Sequence, residues 1–473
     1  MQALGPETAE SGRFCGDDLQ LLEREPLHRR AASLYPICAV VKMTPGPERT
    51  NFSSARSCVT CSRRVAPSRG FAASSDSMNV RAPSMMAERD LYTMDTPLLN
   101  EHKIAGATLS PFHGVTLPEQ FTAFPEEYRA AREAVAIFDT NWHTIVELSG
   151  PDRVRYLNAI VSNDVKSLGE GRGTLALLLK PQGHILAELE IYALQDRLLV
   201  LSHASVRERT VATLDKFIIM DDVTLSDVTD RFGSLAIEGP RAGTVIAEAC
   251  GLALEGFSEH AIAEVEIDGV ACHLIRHSHF GFPGAEIIAP RERLALLWRN
   301  LHASVIAQHG AAIGTRAVNS LRLEAGIPWF PDDFNDSVIP HEAALEATHI
   351  SFSKGCYTGQ EIVERVRSRG QVNRRRVQLK FSVADPPVPL TRLYARDTES
   401  QSAGSKGAQP AGGSVEVAER AGAETKDVGI ITSSAFSPAA DAAIGMAYVR
   451  REHNAPGTVL EFTGGTAEVF STT

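Results

Sequence analysis

The sequence contains no run of about eighteen apolar residues, the length that a membrane-spanning helix requires. It also lacks an excess of positive charge, because 47 Lys and Arg residues stand against 58 Asp and Glu residues, giving a formal net charge of -11. We therefore expect no association with a membrane and no stable complex with nucleic acid.

Cysteine is scarce as well. The seven cysteines among 473 residues are odd in number and widely spaced, so they do not make a disulfide framework. A reducing compartment is expected, either the cytoplasm or, if the source is eukaryotic, the mitochondrial matrix. Cys58 and Cys61 form a CxxC pair, but no second pair with zinc spacing follows, and we assign the pair no role.

Residues 1–98 lack the apolar periodicity of folded elements and are rich in Ser, Arg, Pro and Ala. We predict a disordered extension. It is either a targeting segment or a stretch that is not translated because synthesis begins at a later methionine.

Residues 99–372 use one local pattern twice. A strand ending at Leu148 is followed by Gly150-Pro151 and an apolar helix, and a strand through Ile237 is followed by Gly239-Pro240 and another helix. Between them, Lys180–Gly183 has the proline and glycine of a hairpin turn. The pattern predicts two related α+β halves.

Residues 373–473 contain short strand patterns separated by turn residues. A stretch rich in Gly, Ser, Ala and Glu, residues 397–427, is typical of a flexible insertion. We predict a small β-barrel domain carrying this loop. The fold class is therefore α+β, with duplicated halves and a C-terminal barrel.

The octapeptide Lys354-Gly-Cys-Tyr-Thr-Gly-Gln-Glu361 places a cysteine between two glycines, ahead of a short helix that ends at Gly370. The positive end of that helix and the neighbouring Lys354 favour the thiolate form of Cys356. The alternative is a small buried residue in a turn.

This octapeptide resembles the K-G-C-Y-x-G-Q-E motif of the YgfZ family of folate-binding proteins, which are relatives of the glycine-cleavage T-protein, an aminomethyltransferase. The resemblance extends from about Gly106 to the C-terminus. It includes three further landmarks: Ile137-Phe138-Asp139, Asn163-Asp164-Val165 and Leu321–Gly326. It implies a three-domain cloverleaf in which tetrahydrofolate, or a one-carbon derivative, enters a channel between the two α+β halves and the barrel closes it.

The resemblance also implies which residues bind the folate. Glu286 is similar in placement to the family's pterin-binding glutamate, since a carboxylate can accept both donors of a pterin edge. The T-protein carries an acidic pair in its hairpin strand, where this chain has Ala187 and Glu188. Asn163 and Arg322, in two of the landmarks, complete the expected cofactor-binding set.

Three functions follow as alternatives. The resemblance to the YgfZ family implies a tetrahydrofolate-binding factor for the assembly or repair of iron-sulfur (4Fe-4S) clusters, with assembly or client proteins as partners. Cys356 is then the functional thiol, accompanied by Lys354, Tyr357, Gln360 and Glu361. The second alternative is an aminomethyltransferase-like one-carbon transferase using Glu188. The third is a scaffold without folate. We expect a monomer.

Two other groups of residues remain. His273, His277 and His279 share the parity of one strand face, as zinc ligands would, but no Cys or acid accompanies them at a fixed spacing, and we expect no metal site. The arginines between Arg365 and Arg376 either contact an anion, such as a folate polyglutamate tail, an acidic protein or tRNA, or form a solvated surface; we favour the surface.

Overall fold

The computed structural model describes residues 94–395 and 426–472. The predictions for residues 1–93, including the CxxC pair, and for most of the insertion lie outside the described residues. Folded structure begins before the predicted boundary at residue 99, because Leu98 is fully buried and Thr96 Oγ1 donates to Asp139 at 2.6 Å.

In the described part of the chain, six elements precede the first half of the duplication. They are β1 (Met94–Asp95), α1 (Leu99–Ile104), β2 (Thr108–Phe112), β3 (Val115–Gln120), α2 (Phe124–Glu133) and β4 (Ala136–Asp139). Strands β1, β3 and β2 form a three-stranded sheet.

Tyr128, Ala131, Val135 and Phe138 recur at helical spacing, but helix α2 ends at Glu133 and strand β4 begins at Ala136. All four residues of β4 are buried, and β4 lies between two other strands. A short buried apolar run has the same hydrophobic pattern in a helix and in a central strand, so the spacing alone does not distinguish the two.

The first half of the duplication is a five-stranded sheet with the order β6-β7-β8-β5-β9. Its elements are β5 (His143–Ser149), α3 (Arg153–Ile160), β6 (Arg172–Leu179), β7 (Ile185–Ala193), β8 (Arg197–His203), α4 (Arg207–Lys216) and β9 (Thr224–Asp227).

The second half is a six-stranded sheet with the order β11-β12-β13-β10-β4-β14. Its further elements are β10 (Phe232–Glu238), α5 (Ala242–Cys250), β11 (Ile262–Ile267), β12 (Val270–Arg276), β13 (Gly284–Pro290), α6 (Leu294–Ala307) and β14 (Ala311–Ala312).

The two sheets repeat one topology. In each half a central strand leads through a Gly-Pro turn into a helix, then into a hairpin, a third strand and a second helix. In both sheets the strand that follows the hairpin pairs with the central strand that began the half: β8 pairs with β5, and β13 pairs with β10. The predicted α+β class and duplicated halves are confirmed.

A connecting region leads from the second half to the barrel. It contains α7 (Thr315–Glu324), α8 (Glu346–His349) and α9 (Gln360–Arg369). The predicted β-barrel is confirmed, and its strands close in the order β15-β18-β17-β16-β19-β20. Its strands are β15 (Arg374–Phe381), β16 (Arg392–Ala395), β17 (Asp427–Ser437), β18 (Ala442–Arg450), β19 (Val459–Phe462) and β20 (Gly465–Thr472).

Helix α9 is fixed against the β6–β7 hairpin through two glycines with positive φ. A Cβ on Gly359 would lie 2.7 Å from the carbonyl oxygen of Lys180, and one on Gly183 would lie 2.8 Å from the Ile362 side chain. These approaches are closer than a Cβ allows, so Gly359 lets the octapeptide backbone lie against the Lys180 carbonyl, and Gly183 lets the Ile362 side chain of α9 pack on the hairpin turn. Within the described ranges, no helix is both long and apolar enough to cross a membrane.

Candidate functional site

A cavity of about 400 Å³ lies between the two halves and is closed on one side by the connecting region. Much of its wall is apolar or aromatic, formed by Phe112, Trp142, Leu175, Leu201, Trp329 and Phe330. The Trp329 ring lies 5.5 Å from the Phe112 ring and 5.9 Å from the Trp142 ring, measured between centroids. The wall can therefore hold a flat aromatic ligand.

Strand β7 supplies two carboxylates to this cavity. Glu188 and Glu190 lie on its cavity face, whereas Ala187 and Leu189 are fully buried in the core on the other face. Because successive side chains of a strand point to opposite faces, an acid at position 187 would face the core. The replacement of one acid of the T-protein pair by Ala187 therefore leaves a carboxylate in the cavity, that of Glu188.

Glu188 is paired with a histidine from a distant part of the chain. Its Oε1 lies 2.9 Å from Nε2 of His349, at the end of α8, and the hydroxyl of Thr348 lies 2.7 Å from Nδ1 of the same ring. Both Glu188 and His349 line the cavity. The pair can accept and return a proton at the cavity wall.

Glu286 does not line the cavity, although it was predicted to bind a pterin directly. Its carboxylate is 1% exposed, accepts from Thr140 Oγ1 at 3.0 Å and lies 3.1 Å from His143 Nε2 and 3.6 Å from His279 Nε2. His143 and His279 do line the cavity. The two imidazoles therefore lie between the Glu286 carboxylate and the cavity.

Glu286, His143, His279 and Glu238 form a buried network of opposite charges. Burial disfavours the charged form of His279, but Glu238 and Glu286 outweigh it and raise the pKa of His279 to about 10. Burial also disfavours the charged form of His143, but the charges of Glu286 and Glu190 outweigh this effect and raise the pKa of His143. In return, the pKa of Glu286 is held well below its ordinary value despite its burial, chiefly by His143.

A second pair of histidines behaves in the opposite way. Burial, together with the neighbouring His277, lowers the pKa of His260 to about 4. Burial, together with the charge of His279, lowers the pKa of His277 to about 4. Both imidazoles are therefore neutral at physiological pH.

The prediction that His273, His277 and His279 share one strand face is wrong. Strand β12 ends at Arg276, so His277 and His279 belong to the loop that follows, and their rings lie 4.4 Å apart. His273 remains in the strand, where its Nδ1 lies 4.0 Å from Glu264. The loop, rather than the strand, brings histidines into the cavity.

Asn163 and Arg322 are not among the described residues that line the cavity; both hold parts of its wall. Asn163 Nδ2 donates to the carbonyls of Leu175 at 2.7 Å and Thr348 at 3.1 Å. Arg322 is fully buried, forms an ion pair with Asp333 and stacks on the Trp329 ring at 4.5 Å.

Most of the octapeptide serves the fold. Lys354 Nζ donates to the carbonyls of Asn158 and Val161 at 2.5 Å and of Asn163 at 3.0 Å, and so caps the C-terminal end of α3. Burial lowers the pKa of Lys354 to about 8. Tyr357 is 7% exposed and packs in the core of the first half.

The remaining octapeptide positions differ in exposure. Gln360 is the first residue of α9 and is half-buried, and Glu361 is exposed and pairs with Arg365 at 2.6 Å. Cys356 is an exposed free thiol, whereas Cys272 is buried and Cys250 half-buried. Cys356 is not among the residues that line the cavity within the described part of the chain.

Most of the arginines predicted to form a surface have partners. Arg367 stacks on Phe352 at 4.1 Å, Arg374 pairs with Glu342 at 3.1 Å, and Arg375 pairs with Glu346 at 3.1 Å. The prediction of a solvated surface is wrong for Arg376, which is 3% exposed, donates to the carbonyl of Ala343 at 3.0 Å and lines the cavity.

Sequence reasoning missed several cavity residues. Glu190 could have been found, because it lies two positions from Glu188 on the same strand face. Trp142, His260, Trp329 and His349 could not, since they come from loops and short elements whose positions depend on contacts between distant segments.

Comparison with known proteins agrees with this architecture, which is a GcvT-like fold of α+β halves and a closed barrel. Residues 98–354 match the GCVT N-terminal domain, and residues 405–469 match the glycine cleavage T-protein C-terminal barrel domain. The chain belongs to the glycine cleavage T-protein (GCVT) family.

Similar proteins carry the name aminomethyltransferase. The relative from Rubrobacter xylanophilus is 28% identical over 76% of this chain and 87% of its own length. The relative from Streptomyces coelicolor is 27% identical over 77% of this chain and 91% of its own length. The crystal structure of the glycine cleavage system aminomethyltransferase T from Bartonella henselae covers 80% of this chain and 97% of its own, with a TM-score of 0.67 and 23% identity.

The charge network around Glu286 makes the free energy of unfolding depend on pH. A histidine whose pKa is raised on folding stabilises the folded state fully below its unfolded pKa of about 6.5, and this is lost as the pH rises through about 10. We expect His279→Gln to destabilise the chain by about 3 kcal/mol at pH 6, because it leaves the Glu286 charge buried without this partner. The deficit should shrink between pH 6.5 and 10.

Urea unfolding of the wild type and the variant at pH 6, 8 and 9.5, in buffer containing EDTA, measures this deficit. His453→Gln, on the turn after β18, is the control and should show little change at any of these pH values. A deficit for His279→Gln that is equal at pH 6 and 9.5 would contradict the assignment of charge to this ring.

Proposed function

We propose that this chain binds tetrahydrofolate, or a one-carbon derivative of it, in the cavity between its halves and acts as an aminomethyltransferase-like one-carbon transferase. The observation that carries the proposal is the cavity itself, which is lined by indole and phenyl rings and by the carboxylates of Glu188 and Glu190. Family membership and the names of the relatives point to the same chemistry.

The pterin of a folate suits these walls. It is a flat ring system, and Trp142 and Trp329 supply aromatic faces on which it can stack. Its edge presents a ring N–H and an exocyclic amine, which are donors for a carboxylate. A volume of about 400 Å³ lies within the range of small-molecule sites.

Glu188 is the residue that we propose for proton handling. Transfer of a one-carbon unit between nitrogens requires a proton to leave one nitrogen and reach another, and a carboxylate paired with an imidazole can do this. Glu188 is the cavity carboxylate that has such a partner, His349, at 2.9 Å. Glu286 is proposed to act through His143 and His279, which lie between it and the cavity.

Folate binding is measurable through tryptophan fluorescence, because two of the three tryptophans line the cavity. We expect saturable quenching when 5-formyl-tetrahydrofolate is added. Glu188→Gln should weaken binding by about tenfold or more, since a hydrogen bond to a charged group contributes about 1.5–3 kcal/mol.

The matched control is Glu264→Gln, a strand carboxylate whose side chain is 66% exposed away from the cavity lining. It should bind as the wild type does. Absence of saturable quenching in the wild type, or an equal loss in both variants, would be incompatible with the proposed folate site.

A second function rests on a different observation, the exposure of Cys356. The octapeptide matches the YgfZ motif at each of its fixed positions, and the structure uses Lys354, Tyr357 and Gly359 for packing while Cys356 is exposed. An exposed thiol can ligate iron. We therefore propose, as the alternative to the transferase, a role in 4Fe-4S cluster assembly or repair with a partner protein.

Complementation separates the two functions. We express Cys356→Ala in a strain that lacks its own copy of this protein. If the thiol works in cluster assembly, the variant should fail to restore 4Fe-4S enzyme activities, because alanine has no sulfur atom to ligate iron. Cys250→Ala, which removes a half-buried thiol from α5, is the control and should restore them.

Folate titration of the same Cys356→Ala protein should match the wild type, because this residue does not line the cavity in the described part of the chain. Restoration of cluster enzymes by Cys356→Ala to the wild-type level would exclude the thiol from cluster assembly and leave the transferase as the function.

A further inference from the structure

Three side chains on the cavity wall converge beside the Glu188–His349 pair. Glu190 comes from β7, His260 precedes β11, and His277 lies in the loop after β12. One ligand atom from each lies within 4.8 Å of the other two. All three side chains line the cavity.

Polar atoms of this group lack hydrogen-bond partners. Nδ1 of His260 and Nδ1 of His277 are buried and accept or donate no hydrogen bond. The two rings lie 5.6 Å apart between centroids and are not stacked face to face. Buried polar atoms are normally paired, so two unpaired imidazole nitrogens in one wall require an explanation.

The Glu190 carboxylate is held in position by a neighbouring hydroxyl group. The hydroxyl of Tyr192 donates to its Oε2 at 2.6 Å, which leaves Oε1 available. Glu259 lies nearby, with Oε1 at 4.0 Å from His277 Nδ1 and accepting from the Ser278 backbone N–H at 2.9 Å. Hydrogen-bonded carboxylates around a set of imidazoles are typical of the outer shell of metal centres.

We propose that Glu190, His260 and His277 form a binding site for one divalent transition-metal ion, zinc or iron(II), on the wall of the cavity. Two imidazoles and one carboxylate make up the protein ligands of many catalytic zinc sites and of the non-haem iron(II) facial triad. Three protein ligands leave coordination positions that face the cavity, open to water or a substrate atom.

A neighbouring group, His143, His279 and Glu286, has comparable ligand spacing but is less suitable. Its two histidines already have carboxylate partners, with His143 Nε2 3.1 Å from Glu286 and His279 Nδ1 3.5 Å from Glu238. The Glu286 carboxylate also lies behind the two rings, so a metal held by all three would be withdrawn from the cavity. Substitution of a histidine from each group therefore distinguishes the two candidate sites.

The test is a titration of the purified full-length chain, stripped with a chelator and kept free of folate. Cobalt(II) absorption reports the ligand type, and competition with zinc(II) and anaerobic iron(II) gives the affinities of the physiological ions. We expect one ion per chain, in a spectrum of nitrogen and oxygen ligands without a thiolate-to-cobalt charge-transfer band.

Substitution identifies the ligands. Glu190→Gln and His277→Gln should each weaken binding by at least about 100-fold, because loss of an outer-shell partner alone costs about 10–100-fold. Tyr192→Phe should weaken it by about tenfold. His273→Gln, a strand histidine that does not line the cavity, is the matched control and should bind as the wild type does. Thermal unfolding of each metal-free variant verifies that it is folded.

The proposal is overturned if the folded wild type binds no ion saturably, if His143→Gln abolishes binding while His277→Gln does not, or if binding shows a thiolate band and disappears when Cys58, Cys61 and Cys356 are replaced by serine. Tighter binding of either zinc(II) or iron(II) supports the site and identifies its metal. Since no folate is present, failure of the folate proposal would leave this result unaffected.

Discussion

A buried ion pair holds together the parts that form the cavity. Arg322 of α7 is fully buried and pairs with Asp333, which is itself fully buried in the connecting region. Asp333 also accepts from Thr432 Oγ1 at 2.5 Å and Ser433 Oγ at 2.6 Å, both in barrel strand β17. Removing one partner of such a pair strands the other charge in the interior, at a cost of about 3–5 kcal/mol.

The same ion pair positions the aromatic wall. The Arg322 guanidinium stacks on Trp329, and Asp333 accepts the Trp329 backbone N–H at 3.0 Å. The duplicated sheets alone would leave this side of the cavity open. A charge network that belongs to neither sheet thus determines where the indole lies, and with it which ligands fit between Trp329 and the carboxylates of β7.

Charge in the cavity is divided between two environments. Around Glu286, acids surround the imidazoles and favour their charged form, which matches the raised pKa of His279. Around His260 and His277, burial favours the neutral form of both rings, and the neighbouring charged His279 adds to this effect at His277. Histidines a few ångströms apart are thereby suited to different tasks, holding an anion in one case and offering a free lone pair in the other.

Much of the architecture was predictable from the sequence because its signals are local. The hairpin at Lys180–Gly183, the repeated Gly-Pro units and the barrel strands each depend on residues close together in the chain. Position 187 shows where such reasoning stops: strand alternation sends Ala187 into the core, a fact that a comparison of sequences alone does not reveal. Glu188 and His349 are 161 positions apart, and their contact exists only in the folded chain.

The most direct test of the central claim is a crystal structure of the chain with 5-formyl-tetrahydrofolate. The account predicts the pterin between the halves, against Trp142 or Trp329, with its donors directed at a carboxylate of β7. A folate bound elsewhere on the chain, with the cavity filled by rearranged side chains, would contradict it.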